Sequence, residues 1–182
     1  MSAHHDGCFA AWAPIYRERG YWPRPIMPGT KACKLPQWQR PDADIPRAEL
    51  SQWVDRYADY GIGLLMGSPL PDGTHLGAVD IGRDEYMRLG IAVLGNPPSG
   101  RIGRKGAVFF VRVAGGVPAH PRFERRDKAT GTKILVAEGL FRKALCVLPP
   151  TIHPDTHKPY FWIGTPLHYV EFSALPLITM GG

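Results

Sequence analysis

Proline and glycine occupy about one position in five of this chain, and their density constrains the fold more than any other feature of the sequence. The 182 residues include 21 Gly and 19 Pro. Because proline interrupts helices and glycine favours turns, long uninterrupted helices are excluded. The apolar fraction of 44% is that of an ordinary globular protein with a real core. We therefore expect residues 1–182 to form a single turn-rich domain of helices and strands.

Other features exclude several classes of protein. No stretch approaches the roughly 20 apolar residues that a membrane-spanning helix needs, and the N-terminus lacks the layout of a secretory signal. We therefore expect a cytoplasmic protein with no membrane partner. Cys8, Cys33 and Cys146 are far apart and odd in number, which argues against a disulfide framework or a zinc knuckle. A metal site at His4, His5 and Cys8 is disfavoured because no second pair of ligands follows.

Positive charge is concentrated in one part of the chain. The net charge is +6, and residues 101–133 contain nine Lys or Arg but only Glu124 and Asp127 as acids. Such a segment is what a polyphosphate backbone would select, because each contact releases counterions. A solvated basic loop is the alternative interpretation.

Periodicity predicts both helices and strands. Apolar residues at helical spacing predict helices that begin near Phe9, near Pro46 and near Arg83. Short apolar runs bounded by turn residues predict strands over 62–66, 76–81, 107–113, 134–137, 144–148 and 160–163. The first two strands are expected to be joined by a turn, and the most economical arrangement is a sheet with helices on one side.

Two carboxylates interrupt these apolar strands. Asp80 ends one strand, where burying it without a partner would cost several kcal/mol. A bound divalent cation, a helix cap near Asp84 and a pairing arginine are all possible compensations. Glu138 ends a second apolar run, and adjacent strands would place it within reach of Asp80. Two such groups could hold a catalytic metal ion.

Two loops carry further candidate residues. Lys31 lies in a segment rich in Pro and Gly that could hold a phosphate, although surface lysines are often only solvated. Thr151 and His153 follow Pro149-Pro150, and a hydroxyl and an imidazole at this spacing could both contact a triphosphate. Tyr160 or Trp162 could then stack on a base or sugar. Alternatively, His153 stabilises a turn and the aromatic side chains belong to the core.

The chain resembles the bifunctional DNA primase/polymerase (prim-pol) N-terminal domain of the archaeo-eukaryotic primase superfamily, which occurs in plasmid and phage replication proteins. The resemblance covers nearly the whole chain, and the segment from Pro149 to Pro154 with Tyr160 and Trp162 behind it is its most specific part. Its other parts, in order, are Arg19–Trp22, Gly29–Trp38, Tyr60–Gly63, the acidic strand through Asp80, Ala107–Arg112 and Glu138.

The resemblance implies an α+β fold with an archaeo-eukaryotic primase-type catalytic core, in which flanking helices surround a mixed or antiparallel sheet like that of an RNA-recognition motif. It also implies Mg²⁺ or Mn²⁺ bound by three acidic residues. This sequence departs from the family twice. Gly82 stands where the family has a second carboxylate two residues after Asp80, and Val108 stands where the family usually has a histidine.

On this resemblance we expect a nucleotidyltransferase that makes or extends primers on a single-stranded DNA template from nucleoside triphosphates. Asp80 and Glu138 would be the catalytic metal ligands, with Asp84 as the replacement for the missing third. His153, Thr151, Lys31, Arg104 and Lys105 would bind the nucleotide, and a replicative helicase is a candidate partner. The alternative is a catalytically weakened relative, impaired through Gly82 and Val108, that only binds nucleic acid or nucleotide.

Overall fold

A computed structural model describes residues 8–181. His4 and His5, at which a metal site was disfavoured, lie outside the described residues. Within them the chain forms three α-helices and ten strands. The helices are α1 (Phe9–Glu18), α2 (Arg47–Arg56) and α3 (Met87–Val93). The strands are β1 (Trp22–Ile26), β2 (Gly61–Leu65), β3 (His75–Ile81), β4 (Ser99–Ile102), β5 (Ala107–Val113), β6 (Arg122–Arg126), β7 (Lys133–Leu140), β8 (Leu145–Leu148), β9 (Phe161–Gly164) and β10 (Leu177–Ile178). None of the helices within this range is long and apolar enough to span a membrane.

The strands form two sheets. The smaller sheet has the antiparallel order β1-β2-β8, and the larger has the order β6-β7-β3-β5-β4-β9, with β10 parallel to β5. The chain passes from the small sheet to the large one between β2 and β3, and returns between β7 and β8. The expected α+β class with a mixed, largely antiparallel sheet is confirmed.

One core cluster joins the two sheets to the helices. It contains Tyr16 of α1 and Trp53 of α2 together with Leu64 of the small sheet and Phe110 of the large sheet, all buried. A second cluster lies on the other face of the large sheet, around Val79, Phe109 and Val111. Because side chains alternate along a strand, β3 and β5 contribute to both clusters. The large sheet is therefore packed on both faces along its centre.

The sheet arrangement differs from the one expected from the sequence. β2 and β3 are not a hairpin, since they belong to different sheets, and the single sheet with helices on one side is replaced by two sheets that share a core. β1 was not among the predicted strands, and it contains Pro23 and Pro25. It is an edge strand that pairs only with β2, and an edge is where the missing N–H groups are tolerated.

Local features add detail to the expected elements. The helix expected near Pro46 has Pro46 as its N-cap, and Asp44 lies in a short 3₁₀ turn before it. On the short helix α3, Leu89 and Val93 are 56% and 76% exposed. The basic segment 101–133, for which a solvated loop was the alternative interpretation, contains β6 and the end of β4. Neither strand has an apolar alternation, because β4 is short and polar and β6 is rich in charge.

A buried arginine fixes the long connection between β1 and α2. Arg24 is fully buried, and its guanidinium donates hydrogen bonds to the carbonyl oxygens of Trp38 (2.7 Å) and Pro23 (2.9 Å). It also forms a 2.7 Å ion pair with Asp42. The planar guanidinium therefore satisfies carbonyl groups that would otherwise be buried without a partner.

We predict that Arg24→Lys lowers the free energy of unfolding by about 3 kcal/mol, because a single ammonium cannot reach all of these acceptors. Urea unfolding monitored by fluorescence measures the change. Arg47→Lys, at an exposed position of α2, is the matched control and should stay within about 0.5 kcal/mol of wild type. Equal effects of the two substitutions would contradict this role for Arg24.

Candidate active site

Polar side chains form a row across one face of the large sheet. Asp80 of β3 is the register partner of Glu138 on β7 and of Val108 on β5. Val108 in turn pairs with Arg101 of β4, and Glu138 pairs with Arg122 of β6. Register partners in antiparallel strands project to the same face, so the two carboxylates are neighbours. The acids lie between the two arginines of this row.

The position of Asp80 is unfavourable for an ionised carboxylate. Burial raises the pKa of Asp80, and the neighbouring charge of Glu138 raises this pKa further, while Arg101 and Lys31 act in the opposite direction. Neither Asp80 nor Glu138 forms a hydrogen bond or ion pair through its side chain with any residue that the structure describes. Two adjacent carboxylates without such partners attract cations.

The acids border two adjoining cavities. The larger cavity, of about 440 Å³, is a cleft lined by Asp80 and by several positively charged side chains; we call it the basic cleft. The positively charged residues of its lining are Lys31, Arg101, Arg104 and Lys105. The smaller cavity, of about 260 Å³, is lined by both Asp80 and Glu138, with Leu135 and Arg83 nearby; we call it the acid cavity. Asp80 therefore lies where the two cavities meet.

Arg101 was not singled out as a site residue from the sequence, yet it organises the basic cleft. Its Nε donates a 2.7 Å hydrogen bond to the carbonyl oxygen of Val147 on β8. Its guanidinium carbon lies 4.9 Å from the ring centroid of Tyr160. Arg101 thus connects the large sheet to the small sheet and is held beside Asp80. The signal that could have revealed it is its place in the Gly-rich stretch Gly100-Arg101-Ile102-Gly103, which allows close packing.

His153 is a neutral hydrogen-bond donor at the wall of the cleft. Burial lowers the pKa of His153, and the positive charge of Lys31 lowers it further. Its Nδ1 accepts a 3.1 Å hydrogen bond from the backbone N–H of Asp155, so the proton of the neutral ring belongs on Nε2. The ring packs on Tyr160 at 5.1 Å between centroids. Gly103 permits this packing, because a Cβ there would lie 2.5 Å from Tyr160.

The remaining cleft cations come from turns. Lys31 follows a turn in which the N–H of Thr30 donates to the carbonyl oxygen of Met27 (3.1 Å), so its backbone position is fixed. Arg104 forms a 3.6 Å ion pair with Asp155, and both side chains are more than half exposed. An exposed pair of this kind exchanges readily for a stronger anionic partner. The structure therefore places Lys31, Arg104 and His153 in the same cleft as Asp80.

Two of the expected site residues lie elsewhere. Oδ1 of Asp84 accepts a 2.6 Å hydrogen bond from the N–H of Gly106, and Asp84 lines neither cavity. The hydroxyl of Thr151 accepts from the N–H of Ile62 (2.8 Å) and donates to its carbonyl oxygen (3.0 Å). Thr151 is 4% exposed, so it fastens the turn after β8 to β2 instead of facing the cleft. In this structure Asp84 holds a turn, and Thr151 supports the wall that carries His153.

The two departures from the family pattern have different surroundings. Gly82 lines both cavities, and a Cβ at this position would meet no atom within 4 Å. Val108 is 1% exposed and lies in the row between Asp80 and Arg101. Open space thus remains where a third carboxylate would stand, whereas the position of Val108 is filled by apolar packing.

A divalent cation fits the acid pair. Two carboxylates on one face supply hard oxygen ligands, and their mutual repulsion would be relieved by positive charge. No group of three or more His, Cys, Asp or Glu side chains that could hold a metal ion occurs among residues 8–181. Within this range the acid pair would offer two ligands to such an ion.

Comparison with known proteins agrees with this chemistry. The family described as "Bifunctional DNA primase/polymerase, N-terminal" matches residues 13–177. No curated protein matches the chain. The matched range includes every residue of the acid pair and of the basic cleft.

We predict that Asp80→Asn makes the metal-free protein more stable at neutral pH. Because the pKa of Asp80 is raised by folding, the folded state binds this proton more tightly, and stability is lost as the pH rises above the ordinary Asp value. The neutral amide removes that loss, so the gain should shrink as the pH falls toward the ordinary Asp pKa. Thermal unfolding in chelator at several pH values measures it.

Asp72→Asn is the control with the opposite sign. Hydrogen bonds from Thr74 and Arg112 lower the pKa of Asp72 to about 2, so its charge stabilises the fold above that pH. Asp72→Asn should therefore lower the melting temperature where Asp80→Asn raises it. A fall in melting temperature for both variants would contradict the claim that the ionised carboxylate of Asp80 destabilises the metal-free protein.

Proposed function

This chain belongs to the bifunctional DNA primase/polymerase N-terminal family, and from that premise we propose that it is a metal-dependent nucleotidyltransferase acting on a single-stranded DNA template. The family is one of DNA primases and polymerases, so binding of DNA and of nucleotides is expected of it. The observation that carries the proposal is the unpartnered pair Asp80–Glu138 beside a cleft lined by four cationic side chains.

The acid pair is assigned to hold Mg²⁺ or Mn²⁺. Such an ion, when bound, would neutralise developing charge on the reacting phosphate and on the attacking 3′-hydroxyl. Asp80 and Glu138 would hold it from two adjacent strands of a packed sheet, which fixes the positions of these two residues relative to each other. The neighbouring Arg101 favours the ionised form of Asp80, which is the form that binds a cation.

The basic cleft is assigned to the triphosphate. Lys31, Arg104 and Lys105 offer positive charge at its walls, and Arg101 offers a guanidinium held in place by β8. His153 offers an N–H donor from Nε2 without adding charge. Arg101 stands next to Val108 in the row, so it supplies a phosphate donor near a position that carries none in this chain.

The finer context follows from the family resemblance alone. A role in plasmid or phage replication and association with a replicative helicase stay predictions. The second candidate function is a nucleic-acid or nucleotide binding module without catalysis. It is favoured by one observation, the supply of only two acidic ligands where the family pattern has three. It predicts salt-sensitive DNA binding that does not depend on metal and is not accompanied by nucleotide incorporation.

We predict that incorporation of labelled nucleotides on a primed single-stranded template requires Mg²⁺ or Mn²⁺ and falls by at least about 100-fold in Asp80→Ala and in Glu138→Ala. A filter-binding assay with each metal and with a chelator measures it. Asp44→Ala, at an exposed acid outside both cavities, is the matched control and should retain activity. Wild-type incorporation in both acid variants would refute the assignment.

We also predict that Gly82→Asp tightens Mn²⁺ binding by about tenfold, because a carboxylate placed in the open space would become a third ligand. The added negative charge should lower the stability of the metal-free protein. Titration calorimetry with Mn²⁺ measures the affinity. Gly115→Asp, where a Cβ also meets nothing, is the matched control. Equal Mn²⁺ affinity in wild type and Gly82→Asp would show that residue 82 lies too far from the acid pair.

A further inference from the structure

A charged hairpin extends from the acid side of the large sheet. It comprises residues 122–133, which include β6, the connecting turn and the first residue of β7; we call it the basic arm. It carries five basic and two acidic side chains, and every residue of β6 is exposed. The basic arm contributes no residue to the basic cleft, so the assigned triphosphate site leaves its charge unused.

The strand register places one face of the basic arm beside the acid pair. Arg122 is the direct register partner of Glu138. Glu124 reaches both Arg122 (3.5 Å) and Lys133 (3.4 Å), so these three side chains share a face, and Arg126 pairs in register with Lys133. The strand register shifts between Phe123 and Glu124, and after the shift Glu124 pairs with Leu135. Leu135 lines the acid cavity, so the face that carries Glu124 continues toward this cavity.

The basic arm is internally ordered. The carboxylate of Asp127 accepts hydrogen bonds from the N–H groups of Ala129 (2.7 Å) and Thr130 (3.0 Å). The N–H of Asp127 donates to the carbonyl oxygen of Thr132 at 2.8 Å, and Gly131 has the positive φ of 69° that closes the turn. Because the hairpin is already formed, a ligand on it need not order it first.

The acid pair therefore has positive charge on two sides. Arg101 and the basic cleft lie on the β5–β4 side of Asp80, and Arg122 with the basic arm lies on the β7–β6 side. The two regions differ in shape. The cleft is a concave space with a neutral histidine and a buried aromatic ring, whereas the basic arm is an exposed row of arginines and lysines. A compact triphosphate fits the first, and an extended phosphodiester chain fits the second.

Protection of a sheet edge is the competing explanation. β6 is the edge strand of the large sheet, and charged side chains on an edge prevent pairing with another chain. That role requires charge of either sign. The basic arm instead uses Arg and Lys at five positions, and both Arg122 and Lys133 are directed toward Glu124 on the face that meets the acid cavity.

We propose that the basic arm binds the single-stranded nucleic acid on which the enzyme acts and guides it to the acid pair. The proposal rests on the proposed function for its meaning, because it locates the polymeric substrate of the same site. Arg122, Arg126 and Lys133 contact successive phosphates along one face. The strand then approaches Asp80 from the β7 side, opposite the triphosphate.

The test is the salt dependence of binding to a labelled oligothymidylate. In the triple variant Arg122→Gln, Arg126→Gln, Lys133→Gln, affinity should fall at least tenfold at low salt. The slope of log K against log salt should become shallower by about 2, since each contact to a single strand contributes about 0.7. The control variant Arg47→Gln, Arg56→Gln, Arg88→Gln removes three exposed charges from α2 and α3 and should bind with nearly the wild-type slope.

Failure of this proposal and failure of the proposed function give different results. If the wild-type protein binds oligothymidylate through the basic arm but incorporates no nucleotide, the binding role of the arm is supported and the proposed enzymatic function is overturned. If incorporation depends on the template but the salt slope of binding is unchanged in the arm variant, the enzymatic function is supported and the binding role of the arm is overturned. Unchanged binding together with self-association of the arm variant would assign the arm to edge protection alone, which also overturns the proposal.

A measurement on the unmodified protein covers the case in which the arm variant does not fold. Bound oligothymidylate should slow amide hydrogen exchange in residues 122–133 more than in α2. Slower exchange around the basic cleft with no change in residues 122–133 would overturn the proposal.

The charge-conserving variant Arg122→Lys, Arg126→Lys should keep the wild-type slope of log K against log salt, because a phosphate contact through charge alone does not need the guanidinium.

Discussion

The ionised carboxylate of Asp80, half-buried beside a second carboxylate, is the constraint on which the rest of the site depends. Burial disfavours its charge and Glu138 adds repulsion, while Arg101 and Lys31 act in its favour. An apolar residue, such as Val108 next to it, would avoid this cost. A positively charged ligand at this position would relieve the unfavourable charge.

The favourable charge near Asp80 depends on contact between the two sheets. Arg101 belongs to the large sheet, but its guanidinium is held by a carbonyl oxygen of β8 in the small sheet and by the ring of Tyr160. Close approach at this junction requires residues without side chains. A Cβ at Gly103 would collide with Tyr160, which packs with Val147 of the small sheet. Within the large sheet, a Cβ at Gly106, where φ is 62°, would collide with the carbonyl oxygen of Ile81. The high glycine content that restricts the fold thus also shapes the site.

The sequence was informative where a residue's role follows from its own strand or helix. Asp80 and Glu138 each interrupt an apolar run, and this pattern was sufficient to predict neighbouring carboxylates on adjacent strands. β1, β4 and β6 were not predicted, because prolines or charges mask their period and their pairing is decided by distant strands. Arg101 was missed as a site residue for the same reason. The hydrogen bonds of Thr151 to Ile62 and of Asp84 to Gly106 were not predicted, because each joins segments that are distant in sequence.

Residues 8–181 contain no group of three acids that could share a metal ion, and this changes how an ion would be bound more than whether it can be bound. Mg²⁺ usually keeps several waters and is held by one or two carboxylates together with substrate phosphates. Asp80 and Glu138 would provide that number, and a triphosphate in the basic cleft would lie on the other side of Asp80. The metal ion would be positively charged and the triphosphate negatively charged, so binding of either one should favour binding of the other. The open space at Gly82 is compatible with water completing the coordination shell of such an ion.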